Sequence, residues 1–189
     1  MASPNTDSRE KIMSAARTMV QAHGYGGLNF RDLAEAVGIK AASIYHHFPS
    51  KADLAAAVAR RYWEDSAAEL EIISSAEDAC SSLRSYPRTF RRALQNNNRM
   101  CLSSFMSTEY DDLPAQVMKE VHTFADVNIS WLERNLAVAL NLQPEQCSAR
   151  AQAIFAAISG AQLIARGRAD IELYDAIVAS YISSGLIPP

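Results

Sequence analysis

Residues 29–51 read NFRDLAEAVGIKAASIYHHFPSK, and this stretch decides the fold expected for the N-terminal part of the chain. Asn29 and Asp32 stand three residues apart, a spacing at which two polar side chains can satisfy the free amides that begin a helix. Apolar residues then recur at helical spacing, at Leu33, Ala34 and Val37. Gly38 follows as a natural left-handed stop. The first half of the stretch therefore predicts a short capped helix that ends in a tight turn.

The second half of the stretch predicts another short helix. Its apolar residues are Ile39, Ile44 and Phe48, and it ends at Pro49, which has no N–H to donate. A helix, a glycine turn and a second helix form the helix-turn-helix pattern. The second helix carries donors and aromatic side chains of the kinds that reach phosphates and base edges, namely Lys40, Ser43, Tyr45, His46 and His47. Such residues also suit an ordinary solvent-exposed helix, which is the alternative interpretation.

The longer run RDLAEAVGIKAASIYHHFPSKADL, residues 31–54, resembles the DNA-binding signature of the TetR (AcrR-type) transcriptional regulators. In that family an alanine precedes the glycine of the turn by four residues. The next helix reads small–small–Ser/Thr–apolar–Tyr–x–His–Phe, and Ser–Lys and an acidic residue follow. The matching residues here are Ala34, Gly38, Ser43, Tyr45, His47, Phe48, Lys51 and Leu54. The motif is long and specific, and the resemblance covers about the first quarter of the chain.

This resemblance implies a set of DNA contacts. Arg31 begins the helix before the turn and is expected to reach a base, since Arg to guanine is the commonest specific pairing. Ser43 and Tyr45 are expected to hold phosphates, while Lys40 and His46 lie nearer to the bases. The complete predicted set is Asn29, Arg31, Lys40, Ala41, Ser43, Tyr45, His46, His47 and Lys51.

The rest of the chain predicts a helical body, so the expected fold class is all-α. The chain has 189 residues, of which 49% are hydrophobic, with seven Gly and seven Pro to interrupt its helices. Apolar residues recur every three or four positions, and no segment shows sustained period-two alternation. We expect a helix-turn-helix domain at residues 1–51 and, from the resemblance, a helical ligand-binding and dimerisation domain at residues 52–189.

Charge is distributed unevenly between these parts. Residues 1–61 hold eight Lys or Arg and five Asp or Glu, whereas residues 62–189 hold ten and sixteen. A basic head on an acidic body suits a DNA-binding end joined to a different function. No long uncharged apolar window predicts a membrane span, and the N-terminus lacks the apolar run of a secretory signal. With three widely spaced cysteines, the sequence predicts a cytoplasmic protein without a disulfide framework.

The last two predicted helices, at about residues 145–184, carry small and apolar residues on more than one face. A helix that is apolar all round must be buried on all sides, so a monomer would leave part of this surface exposed to water. The resemblance implies that the two helices form a four-helix bundle with a second copy. A two-fold homodimer also suits a protein that reads the paired half-sites of a palindromic operator.

The resemblance further implies a small-molecule effector bound among the body helices. Most of the large apolar residues there should be core, and a minority should line a cavity. The candidates are Tyr86, Phe90, Met100, Cys101, Phe105, Phe124, Trp131 and Phe155.

Cys101 has a separate interpretation. The segment MCLSSFMSTE, followed by LP, resembles a subset of the family, some members of which sense electrophiles or oxidants through a cysteine at this point. Arg99 beside it would favour a reactive thiolate. A free cysteine is also often a small buried hydrophobe, and Arg166 stands where the sensing members place a lysine.

An enzyme is the rival class of protein. The sequence has no Ser/His/Asp spacing, glycine-rich phosphate loop or metal-ligand cluster, so we expect neither catalysis nor a metal or cofactor. The expected function is a ligand-responsive repressor that leaves its operator when a small molecule binds. The alternatives are a regulator switched by thiol modification of Cys101 and a DNA-binding adaptor without a ligand.

Overall fold

A computed structural model of the protein describes residues 4–189, with side chains from Ser8 onward. Every regular element within residues 4–189 is helical, which confirms the predicted all-α class. The α-helices are α1 (Pro4–His23), α2 (Phe30–Val37), α3 (Ala41–His47), α4 (Lys51–Ala76), α5 (Ala79–Ser85), α6 (Pro87–Gln95), α7 (Leu102–Ser107), α8 (Ala115–Leu140), α9 (Pro144–Arg168) and α10 (Ile171–Ser183). A 3-10 helix spans Tyr110–Asp112. No helix in the described part is long and apolar enough to cross a membrane.

The helices group into two compact units. Unit 1 comprises the described part of Met1–Trp63 together with Leu102–His122, and unit 2 comprises Glu64–Cys101 together with Thr123–Pro189. Unit 1 therefore includes a segment distant in sequence, and it extends past residue 51. The division at residue 51 follows the sequence motif alone and stays a prediction of where the DNA-binding function ends.

Unit 1 is built around a single apolar core. In it α1 packs against α2 and α7, and α2 packs against α3. The side chains that meet there include Ile12, Ala16, Val20, Leu28, Leu33, Ile44, Leu54, Leu102 and Met106. The short helices α2 and α3 could not be stable alone in water, because isolated helices of this length are marginal. Their positions are therefore set by this core.

Unit 2 differs from the predicted helix pattern around Pro87. Apolar residues at helical spacing over residues 75–98 predict one helix with a kink at Pro87, but α4 continues to Ala76 and α5 begins only at Ala79. Asp78 caps α5, since its side chain accepts the N–H of Ser81 at 3.0 Å. Pro87 then opens α6, because a residue without an N–H is tolerated in the first turn of a helix. In the same unit α10 packs on α6 and α9, and α6 packs on α9.

Candidate nucleic-acid interface

The start of α2 is fixed by the predicted cap. The Oδ1 atom of Asn29 accepts the N–H of Asp32 at 2.9 Å, and the Nδ2 atom of Asn29 donates to the Asp32 carboxylate at 2.7 Å. The Asn29 side chain is thus already engaged within the helix start. Arg31, one residue into α2, is exposed. Both residues are exposed, and they differ in that the Asn29 side chain is already engaged by the cap.

The turn between α2 and α3 depends on Gly38. Its φ angle is 74°, in the left-handed region that side chains with a Cβ rarely adopt. The N–H groups of Gly38 and Ile39 donate to the carbonyls of Glu35 and Ala34 at 3.1 and 3.0 Å. These bonds close the end of α2 and turn the chain directly into α3.

Helix α3 presents one polar face outward and one apolar face to the core. Ile44 and Phe48 are buried at 0% and 3% exposure. Tyr45 is 57% exposed, and its ring lies edge-on to that of Phe30 with centroids 4.8 Å apart. The other residues of the α3 segment that are exposed are Lys40, Ala42, Ser43 and His46. Side chains on this face are free to approach a DNA groove, while the contact with Phe30 limits the orientations open to the Tyr45 ring.

Two residues of α3 in the predicted set are half-buried. Ala41 is half-buried and packs against the core of unit 1. The neighbouring Ala42 is exposed, so its methyl group is the more accessible of the two to a DNA groove. His47 is half-buried between its neighbours, 5.5 Å from the ring of His46 and 6.5 Å from that of Phe48. Both residues therefore also support the position of α3.

Lys51, at the start of α4, is held by the turn that follows α1. Its Nζ atom lies 4.3 Å from the centre of the Tyr25 ring and donates to the carbonyl of Gly26 at 3.2 Å. Partial burial lowers the pKa of Lys51, and the nearby negative charge of Glu109 opposes that shift. The ammonium group is therefore placed by specific contacts with Tyr25 and Gly26.

Glu109 was not among the residues singled out from the sequence. It follows α7, and its carboxylate accepts the N–H of Tyr25 at 2.6 Å and the N–H of Gly26 at 3.0 Å. Gly24 permits this approach, because a Cβ built there would lie 2.3 Å from a carboxylate oxygen of Glu109. The residues in contact are more than eighty positions apart in the sequence, so no local pattern could reveal them.

The predicted effector residues mostly meet in one aromatic cluster of unit 2. Tyr86 stacks on Trp131 with ring centroids 5.7 Å apart, and Phe90 lies 6.3 Å from Phe124 and 6.2 Å from Phe155. Tyr86 and Trp131 are both buried. The Tyr86 hydroxyl donates to the Asn128 side chain, and the Trp131 indole N–H donates to the Leu70 carbonyl. The cluster is thus packed and hydrogen-bonded, as expected of a core.

The remaining candidates are divided between the units. Phe105 belongs to unit 1, where it is half-buried, whereas Met100 and Cys101 belong to unit 2. Cys101 is 1% exposed, and its N–H donates to Oε1 of Gln162 at 2.9 Å. The fully buried Gln162 also donates to the Phe90 carbonyl at 2.6 Å. Gln162 lies among the buried, mostly apolar residues of α9, and its amide joins the Cys101 and Phe90 segments.

Two clefts lie on unit 2, and neither is lined by a predicted effector residue. The first has a volume of about 550 Å³ and is lined by Glu69, Ile73, Glu77, Ser85, Arg88, Arg91, Arg92 and Gln95. Two of its arginines are paired, Arg91 with Asp175 at 2.7 Å and Arg92 with Glu69. The second cleft, of about 480 Å³, is lined by Glu133, Ala137, Leu142, Pro144, Glu145, Cys147 and Ser148. Within residues 8–189 no group of three or more His, Cys, Asp or Glu could hold a metal ion.

Helix α9 shows the surface expected of a helix that packs on more than one partner. Ile154 and Ile158 are buried, while Leu163 and Ile164 on other sides of the helix are 54% and 50% exposed. Gly160 lies between them in sequence, and a Cβ there would meet nothing within 4 Å. The apolar surface of α9 is therefore only partly covered within one chain.

Comparison with known proteins places these features in a family. Residues 12–58 match the model of the N-terminal domain of the bacterial regulatory proteins of the tetR family. Over 69 residues the chain is 42% identical to the HTH-type transcriptional repressor AcnR of Corynebacterium glutamicum. That match spans 36% of this chain and 35% of the repressor, so only about a third of either protein is aligned.

Two solved structures resemble nearly the whole chain. A TetR-family regulator from Agrobacterium tumefaciens has a TM-score of 0.88 and 25% identity, covering 95% of this chain and 98% of its own. A TetR regulator from Legionella pneumophila has a TM-score of 0.88 and 27% identity, covering 97% and 98%. The relatives are regulatory proteins and not enzymes, in agreement with the sequence prediction. The signature at residues 12–58 thus matches the tetR family over about a quarter of the chain, and solved TetR-family regulators share the fold of nearly the whole chain.

Proposed function

We propose that the protein is a homodimeric repressor that binds a palindromic operator through α3 and releases it when a small molecule binds unit 2. The observation that carries this proposal is the exposed face of α3. Lys40, Ser43, Tyr45 and His46 are exposed on a helix whose opposite face is anchored by Ile44 and Phe48. A rigid helix with donors on its open face is the form in which helix-turn-helix proteins read the major groove.

In this proposal the contacts divide by chemistry. Arg31 and Lys40 donate to base edges, and the half-exposed ring of Tyr45 brings its hydroxyl to a phosphate. Lys51 binds a second phosphate as a point charge. Asn29 contributes through the cap that orients Arg31. The remaining members of the proposed set are Ala41, Ser43, His46 and His47.

Dimerisation through α9 and α10 would supply the second half-site. The exposed Leu163 and Ile164 give α9 an apolar surface that a second copy would cover. Two-fold symmetry then sets the two α3 helices against half-sites one helical turn of DNA apart or a multiple of it. The relative of Corynebacterium glutamicum is called a repressor, and repression follows if the bound dimer blocks polymerase.

The effector would act in unit 2 at the Phe90, Phe124 and Phe155 rings. Phe155 is the half-buried member of this trio, so it offers a way into the cluster. A hydrophobic molecule that separated the rings would replace aromatic contacts with its own. The molecule would bind only one conformation of unit 2. It would thereby shift the dimer toward conformations that do not fit the operator.

Selection of DNA from a random duplex library by the purified protein tests the proposal. We expect an inverted repeat, bound by two copies of the chain at nanomolar concentration, as is typical of specific sites. Recovery of no preferred sequence, or of a non-palindromic site bound by one copy, would reject it. A screen of hydrophobic metabolites for release of the selected duplex, with tryptophan fluorescence as the binding signal, then identifies the effector class.

The burial of Cys101 favours this form of the proposal over a thiol switch. A side chain 1% exposed is not accessible to an electrophile without local opening. Cys101→Ser should therefore remain responsive to the effector found in the screen. A full loss of response in that variant, with DNA binding intact, would favour the thiol switch instead.

A further inference from the structure

We propose that Glu109 is a positioning residue for DNA contact: its carboxylate fixes the turn between α1 and α2 and thereby holds Lys51 in place to bind a phosphate. The inference rests on the proposed function, because Lys51 has a role at DNA only if the helix-turn-helix binds an operator. It adds a residue from outside the motif to the machinery of binding.

The turn after α1 has the shape of an anion site. The N–H groups of Tyr25 and Gly26 point to the two oxygens of the Glu109 carboxylate, at 2.6 and 3.0 Å. Successive backbone N–H groups that converge in this way form a nest for a negative group. Hydrogen bonds to an ionised acceptor are about twice as strong as neutral ones, so the carboxylate strongly favours this turn conformation.

The same turn places Lys51. The Tyr25 ring lies under its ammonium group, and the Gly26 carbonyl accepts a hydrogen bond from it at 3.2 Å. Tyr25 and Gly26 thus receive Glu109 through their N–H groups and hold Lys51 through a ring and a carbonyl. A shift of the turn would disturb both contacts with Lys51 together.

Glu109 also ties this arrangement to α7. It lies between α7, which ends at Ser107, and the 3-10 helix Tyr110–Asp112. A change in the position of α7 would withdraw the carboxylate from the turn. The operator affinity would then fall through the loss of an ordered Lys51, while the residues of α3 stayed in place.

The test compares five variants for binding to the selected operator as the salt concentration is raised. Lys51→Ala should reduce the slope of log affinity against log salt by about 0.9 for each chain of the dimer, because one phosphate contact is lost. Glu109→Gln should weaken binding about threefold to tenfold. It should also reduce the slope of log affinity against log salt, as Lys51→Ala does. The double variant should be no weaker than Lys51→Ala alone.

The matched control is Asp111→Asn, which removes the same charge two residues away at an exposed position. It should keep the wild-type affinity and slope. Tyr25→Leu provides a second route, because it removes the ring beneath Lys51 and leaves the backbone N–H groups in place. It too should lower the slope, even if Glu109→Gln proves too unstable to purify.

The outcomes are distinct. A Glu109→Gln protein that melts earlier but keeps the wild-type affinity and slope would show a purely structural role and overturn the inference. Losses that multiply in the double variant would overturn it as well, since the two residues would then act independently. A wild-type protein that selects no operator would overturn both the inference and the proposed function, whereas wild-type binding with unaffected Glu109 variants would overturn the inference alone.

Discussion

The helix-turn-helix of unit 1 and the aromatic cluster of unit 2 carry their proposed functional residues in opposite ways. In unit 1 the side chains proposed to touch DNA are exposed, and separate apolar residues such as Ile44 hold the helix. In unit 2 the candidates for effector binding are themselves the core, as Tyr86 and Trp131 show. Binding and folding are therefore separable in unit 1, whereas in unit 2 a change in one is expected to change the other.

Trp131→Ala gives the largest expected effect and tests the unit 2 side of this comparison. The variant removes a buried ring, its stacking on Tyr86 and its hydrogen bond to the Leu70 carbonyl. The free energy of unfolding should fall by about 3–5 kcal/mol, as for other buried aromatic residues. Urea denaturation followed by circular dichroism measures this. A loss below about 1 kcal/mol, the size of an average point mutation, would mean that the cluster is loosely packed.

Replacement of both Leu163 and Ile164 by Glu tests the exposed surface of α9. The change should convert the dimer to a monomer, which sedimentation velocity detects. The apparent operator affinity should then fall about 100-fold or more, since the second half-site no longer contributes. Val138→Glu, on α8 and 77% exposed, is the control and should remain dimeric. A double variant that stays dimeric would place the interface elsewhere.

Tyr45→Ala tests the separation of binding from folding in unit 1. Operator affinity should fall by about 1–3 kcal/mol across all related sequences, because a phosphate contact is lost. The free energy of unfolding should change little. Loss of an exposed side chain changes it by less than about 0.5 kcal/mol, and loss of the ring contact with Phe30 adds a small amount. Tyr45→Phe keeps the ring and removes the hydroxyl, so it separates these contributions. Unchanged operator affinity in Tyr45→Ala would contradict the assignment of α3 as the DNA-recognition helix.

The smallest expected effect is a pH dependence at Glu120 in unit 1. Hydrogen bonds from Arg60 lower the pKa of Glu120; burial opposes this shift and the Trp63 indole N–H adds to it. Because the folded pKa is the lower one, the stabilisation is present above the ordinary glutamate pKa of about 4.3 and is lost as pH falls through the folded value. Urea midpoints should therefore fall less between neutral and acid pH in Glu120→Gln than in the wild type. Glu172→Gln, exposed on α10, serves as the control for removal of a charge. An equal fall of the urea midpoint between neutral and acid pH in Glu120→Gln and in the wild type would contradict the prediction.

The sequence predicted the helix-turn-helix well because its determinants are local. The Asn29 cap and the Gly38 stop act within three or four residues, and both lie where the pattern placed them. The break between α4 and α5 was predicted a few residues early, because Ser75 and Asp78 are both good caps and only the fold selects Asp78. The predicted all-α class and the resemblance to the TetR family are likewise confirmed.

The less predictable features join residues far apart in the sequence. Glu109 meets Tyr25 across 84 positions, and Gln162 meets Cys101 across 61. Neither contact follows from helical periodicity, which describes one helix at a time. The effector residues were also difficult to assign because a large aromatic side chain serves equally well as core and as cavity wall. The two clefts on unit 2 are lined instead by residues of different helices, with Arg88 in the first and Glu133 in the second, and helical periodicity does not bring such residues together.

The three cysteines form a graded series of natural labelling sites. Cys80 is half-buried, whereas Cys147 and Cys101 are 3% and 1% exposed. A thiol reagent added to the native protein should modify Cys80 first, which allows a fluorophore to be placed there without mutagenesis. Cys101 can then react only when the segments bridged by Gln162 part. The rate of Cys101 modification, measured by mass spectrometry, would thus report how often unit 2 opens locally at this site. The same measurement with an effector present would show whether the effector slows or speeds this opening.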